Sequence, residues 1–120
     1  MLFRSIKKMA RSYKILGQSS PSANVLTTLY TVPASNSAII SSITIANLDE
    51  AAANGAAFRI AANNFGVATG NANYLAYGVN VPGRDTVTLT LGITLNASSN
   101  ISVNANSSLL AFSAFGTEIY

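Results

Sequence analysis

The chain has 120 residues, of which 49% are hydrophobic and only 9% charged, against roughly a quarter charged in ordinary soluble domains. It contains no His, Cys or Trp, which excludes imidazole and thiol nucleophiles, disulfide staples, zinc sites built on sulfur or nitrogen, and haem held by His. The formal charge of +3 is unevenly placed: Arg4, Lys7, Lys8, Arg11 and Lys14 precede a remainder in which Arg59 and Arg84 meet Asp49, Glu50, Asp85 and Glu118, a balance of −2.

The cations of the opening segment define a basic N-terminal arm, residues 1–10, ahead of a single domain over 11–120. Arg4, Lys7, Lys8, Arg11 and Lys14 are its candidate partner-binding residues. No apolar run approaches the length of a membrane span, and no seven-residue apolar stretch follows the first charges, so neither a membrane anchor nor a secretory signal is expected. The segment is acid-free and basic, a feature it shares with organelle transit peptides, but it is short and poor in Ser. Nucleic acid is not an expected partner of the domain, because its cations are too few to build a basic face.

Beyond the arm, runs rich in β-branched residues alternate with clusters of Gly, Pro, Asn, Ser and Ala at intervals near ten residues, the spacing of sandwiches and barrels. Eight strands are predicted, near Ser12–Gln18, Val25–Val32, Ala38–Asn47, Ala57–Ala62, Asn73–Val79, Asp85–Leu91, Asn100–Ala105 and Leu109–Ala114. Pro21 separates the first from the second, and Pro33 closes the second. In the third, Ile39, Ile43 and Ile45 are expected on the core face. The stretch Leu48–Ala57 reads as a solvated loop, with room for a helical turn at Ala51–Ala53. Pro82-Gly83 before Arg84-Asp85 signals a type II turn.

The clearest strand signal is TVTLTLGITL, in which Val87, Leu89, Leu91, Ile93 and Leu95 share one face and Thr86, Thr88, Thr90 and Thr94 the other. Gly92 within it suggests a bulge, or a bend carrying the strand from one sheet to the other. Ile101, Val103 and Ala105 repeat the alternation. Connections this short cannot hold crossover helices, so pairing is antiparallel. The expected fold is all-β: an eight-stranded antiparallel β-sandwich of jelly-roll type.

Chemistry-bearing residues are sparse. Only Asp49, Glu50, Asp85 and Glu118 could act as general acids or bases, and the sequence places no two of them across a cleft as glycoside hydrolysis requires. The simpler assignment puts all four in turns or at strand ends. A calcium site from Asp49, Glu50 and Asn54 lacks the spaced acidic ligands of known loops. The serines have no His, no G-x-S-x-G elbow and no S-x-x-K dyad to activate them, and Gly66 to Gly70 lacks the spacing and Lys of a phosphate-binding loop. The chain is read as a non-enzyme with no cofactor and no metal. N-x-S/T sequons at Asn96, Asn100 and Asn106 are what chance yields among thirteen Asn residues.

Tyr74 and Tyr77, with Phe65 and Tyr30, could form a stacking platform. On a regular strand, however, residues three apart face opposite ways, so Tyr74 and Tyr77 are expected at an interface or in the core instead. A surface this poor in charge is best covered by assembly, which predicts a homo-oligomer meeting through strand faces.

The stretch MARSYKILGQSSPSANVLTTLYTVPASNSAIISSITIAN, from Met9 to Asn47, resembles the opening of small virion structural proteins of tailed phages, particularly those of cyanobacteria and other marine bacteria. Phe58–Ala61, Asn73–Ala97 and the ending LAFSAFGTEIY, Leu110–Tyr120, continue the likeness through a Y-x-A-Y segment, a T-x-T-L-G-x-T-L strand and an F-G-[ST]-E-I close. Such proteins commonly begin at the equivalent of Met9-Ala10, leaving Met1–Lys8 as an extra basic segment. The resemblance implies an oligomeric capsid cement or decoration protein on the virion surface, and the favoured assembly is a trimer whose partners are the major capsid protein or other virion proteins. A tail or neck accessory protein is the alternative within that class. From another class, a carbohydrate-binding module for host polysaccharide would use the same sandwich.

Overall fold

A computed structural model describes residues 11–51 and 53–120. Eight strands follow in order: β1 (Arg11–Ser19), β2 (Thr27–Thr31), β3 (Ser37–Asn47), β4 (Ala56–Asn63), β5 (Tyr74–Val81), β6 (Thr86–Leu95), β7 (Asn100–Ala105) and β8 (Leu110–Ile119), with a short 3₁₀ turn at Asn71–Asn73. One sheet has the order β1-β8-β3-β6 and the other β2-β7-β4-β5, and the paired neighbours are antiparallel. Except for the β4–β5 hairpin, each successive strand changes sheet, which is the interleaved double Greek key of a jelly roll. The expected eight-stranded sandwich is therefore the fold. The basic segment 1–10 lies outside the described residues, as does Ala52, so the helical turn for which the sequence left room at Ala51–Ala53 falls partly outside them.

The core is built from the inward residues of both sheets. Ile40, Ile43, Ile45, Leu110, Phe112 and Ala114 come from the first sheet, and Phe58, Ile60, Ile101 and Val103 from the second. Phe58 and Phe112 meet edge to face across the layers, their centroids 6.0 Å apart, the arrangement that aromatic quadrupoles favour. The five aliphatics of β6 line its inner face as the alternation predicts. Leu95 is buried, whereas Val87, Leu89, Leu91 and Ile93 are half-buried because β6 is an edge strand.

Bulges account for the departures from simple alternation. Opposite Ser41, β6 places both Leu91 and Gly92, and Gly92 takes φ 66, a left-handed conformation that costs Gly little. The bulge is present, but β6 stays in one sheet along its whole length; the expected crossing does not occur. On β3, Ile40 pairs with Gly116 and Ser42 with Phe115, leaving Ser41 unmatched. The phase of the strand shifts there, so Ile40 enters the core fully buried and Ile39, expected inside, faces outward.

The turn before β6 is closed by Asp85 N–H donating to Pro82 O at 3.2 Å. The positive φ that a type II turn needs at its third residue falls on Arg84, at 62°, one position later than the Pro-Gly signal suggests. The final strand runs five residues further than predicted, to Ile119. Gly116 permits this, because a Cβ there would collide with the Ile39 carbonyl of the neighbouring strand.

Candidate interaction surfaces

Registered partners on antiparallel strands share a face, so the register of the first sheet shows what its outer face presents. One row across it is Tyr13, Thr117, Ile39 and Thr94. The next is Ile15, Phe115, Ser42 and Thr90, and Ile119 lies opposite Arg11 and Ser37. Tyr13 is 73% exposed and Ile15 53%, while Ile39, Phe115 and Ile119 are half-buried. These five side chains make an apolar strip across the β1, β8 and β3 strands, fringed on β6 by exposed threonines. An apolar strip at the unpaired edge of a sheet marks a contact surface.

The inner side of β1 is used differently. Lys14 Nζ lies 2.7 Å from Glu118 Oε1, and the Tyr30 hydroxyl donates to Glu118 Oε2 at 2.6 Å. Glu118 is buried, contrary to the expectation of a solvated turn or strand end. Hydrogen bonds from Lys14 and Tyr30 hold its carboxyl below the usual carboxylate range. The same bond to Glu118 raises the Lys14 ammonium. Burial, reinforced by Glu118, pushes the Tyr30 phenol up. Of the arm cations predicted to bind a partner, Arg11 is exposed at the start of β1 and Lys14 engages Glu118 within the fold. Arg4, Lys7 and Lys8 lie outside the described residues.

Among the described residues no group of three His, Cys, Asp or Glu side chains is placed to hold a metal ion. In the 48–55 loop, the Asp49 carboxylate accepts from Ala51 N–H at 3.0 Å and from the Asn54 amide at 3.3 Å, bracing the loop itself. The sequon residue Asn100 accepts from Asn63 on β4 and from Ser102 on its own strand, and Asn106 Oδ1 accepts from Ala57 N–H. These amides stitch the second sheet and its flanking loop.

The outer face of that second sheet corrects the reading of the tyrosines. On β5, Tyr74 pairs with Ala61, Ala76 with Ile60 and Tyr77 with Arg59, which leaves Leu75 without an opposite residue. A second extra residue, Gly78, separates Tyr77 from Val79. The bulge at Leu75 resets the phase, so Tyr74 and Tyr77 fall on one face, with centroids 5.0 Å apart in an edge-to-face pair. Tyr77 is 61% exposed, and the Arg59 guanidinium lies 4.2 Å from the centre of its ring. With Asn71 the tyrosines line an open groove of about 470 Å³. The sequence carries Arg59 without any sign that it sits beneath Tyr77, because that adjacency exists only across strands.

No protein-family model and no curated protein sequence matches this chain. Among solved structures it is similar to a chain of the T13 IBDV viral particle, at 12% identity and a TM-score of 0.37, covering 91% of this chain and 30% of that one. It is also similar to a pentameric capsid protein isolated from metagenomic phage sequences, at 16% identity and a TM-score of 0.34, covering 87% of this chain and 60% of that one. The chain thus spans under two thirds of both. One neighbour belongs to a viral particle and the other is a phage capsid protein, and at TM-scores below 0.5 neither likeness decides the role of this one.

Proposed function

We propose that the chain is a structural subunit of a phage virion, an oligomeric cement protein seated on the capsid surface, with no reaction to perform. The reading is supported by the sequence resemblance and carried by one observation: the outward strip of Tyr13, Ile15, Ile39, Phe115 and Ile119 on the first sheet. Water-exposed apolar area of this kind is stabilised by a protein surface laid against it, at roughly 25 cal/mol per Å² removed from water. In the proposed arrangement three copies meet through strand faces, and the assembly holds neighbouring capsid subunits together. Arg4, Lys7, Lys8 and Arg11 would reach acidic ground on the shell.

Particles made without the protein test this reading. They are expected to lose their contents at lower temperature and milder osmotic shock than complete particles, and added protein should restore both tolerances. Unchanged tolerance would remove reinforcement as the role. Densitometry of purified virions separates a shell component, present in hundreds of copies, from a tail or neck component present in about a dozen.

A further inference from the structure

We propose that the outer face of the second sheet is a saccharide-binding groove selective for sugars bearing a carboxylate. It lies on the sheet opposite to the apolar strip and does not depend on the assembly reading. Two adjoining depressions form it. The open groove lined by Asn71, Tyr74 and Tyr77 supplies aromatic surface, and a cleft of about 190 Å³ beside it is lined by Asn24, Ala57, Arg59, Gly78, Asn104 and Asn106. Arg59 joins the two, since it lines the cleft and packs on the Tyr77 ring that lines the groove.

Each part matches a part of a sugar. Aromatic rings take the apolar C–H face of a pyranose, and side-chain amides both donate to and accept from its hydroxyls. The bulge at Leu75 brings the tyrosines together, and re-aiming side chains is what bulges do beside binding sites. The charge of the groove selects among sugars. Among the described residues Arg59 has no carboxylate partner within ion-pair distance, and no acid lines either depression. A guanidinium held on an aromatic face among neutral amides presents its fork to a carboxylate. A uronic acid satisfies the rings, the amides and the cation together.

The test is calorimetric titration of the full chain with three probes: a uronate oligosaccharide, a neutral gluco-oligosaccharide of equal length, and a single-stranded oligonucleotide of equal charge. The expected result is saturable uronate binding that exceeds binding of the other two by about tenfold or more and weakens as salt rises. Tyr77→Ala should weaken it by about tenfold or more. Arg59→Gln should reduce uronate affinity to the neutral-sugar level, and Tyr77→Phe should retain it. A Tyr13→Ser variant should bind uronate like the parent, which separates this groove from the assembly face. Absence of uronate binding, insensitivity to Arg59→Gln, or equal affinity for the oligonucleotide would each overturn the proposal, and Arg59→Gln keeps it testable if Tyr77→Ala does not fold.

Discussion

Tyr30 on β2 donates its hydroxyl to Glu118 on β8 at 2.6 Å, so one carboxylate joins the two sheets at the edge where β1 closes the sandwich. Lys14 supplies the counter-charge from β1. A carboxylate taken out of water is tolerable only with such partners, and here they come from two strands, β1 and β2, that are remote in sequence from β8.

This cluster sets the pH dependence of stability. The folded-state value of Glu118 is depressed, so its contribution is present above its ordinary value of 4.5 and is lost as pH falls through the lower folded value. Tyr30 and Lys14 are raised from 10.0 and 10.5, so their contributions hold below those values and are lost as pH climbs past them. Thermal melts across pH should show a plateau between these limits with a fall on either side. Glu118→Gln should flatten the acid fall. Tyr30→Phe should cost about 1.5–3 kcal/mol at neutral pH, the range for a hydrogen bond to a charged group.

Close backbone approach makes Gly17 and Gly116 irreplaceable. A Cβ on Gly17 would run into the Leu29 carbonyl on β2, and one on Gly116 into the Ile39 carbonyl on β3. Either alanine variant should lose at least about 2 kcal/mol, because backbone must move to make room. Gly70→Ala, whose new Cβ would rest 3.7 Å from Asn73 Oδ1, should stay within about 0.5 kcal/mol of the parent by urea denaturation.

The bulge at Ser41 assigns adjacent isoleucines to opposite environments. Ile40 is fully buried in the core, and Ile39 lies on the outer face. Ile40→Ala should therefore cost about 2–5 kcal/mol, the range for emptying a core site. Ile39→Ala should cost no more than about 1 kcal/mol in the same denaturation experiment. A larger loss at Ile39 than at Ile40 would mean that β3 keeps a regular phase.

The outward strip should govern association. Tyr13→Ser with Ile15→Ser removes its two most exposed members while leaving the inward residues of β1 in place. The double variant should keep the parent's circular dichroism and sediment as a smaller species. An unchanged oligomer would move the contact elsewhere on the surface.

Alternation in TVTLTLGITL and in Asn100–Ala105, with Pro and Gly at the turns, determined the strand count, the antiparallel pairing and the part of the core that β3, β6 and β7 supply from the amino-acid sequence. These follow from a period of two within one strand, and every residue needed to read them is local. The sequence also marked Gly92 as a bulge or a bend, because a glycine interrupts the strand run there, and the register of β3 with β6 decided for the bulge. It was silent about Ser41 and Leu75, ordinary residues that become unmatched only when a neighbouring strand sets the register. From those two positions came both errors of facing, Ile39 for Ile40 and the divided tyrosines. Glu118 was misplaced for a related reason: a carboxylate near a chain end reads as solvated until Tyr30 and Lys14 arrive from other strands. What belonged to the tertiary structure alone was adjacency, namely Arg59 under Tyr77 and Phe115 beside Ile15, since hydrogen-bonded pairing between distant segments decides which side chains share a surface.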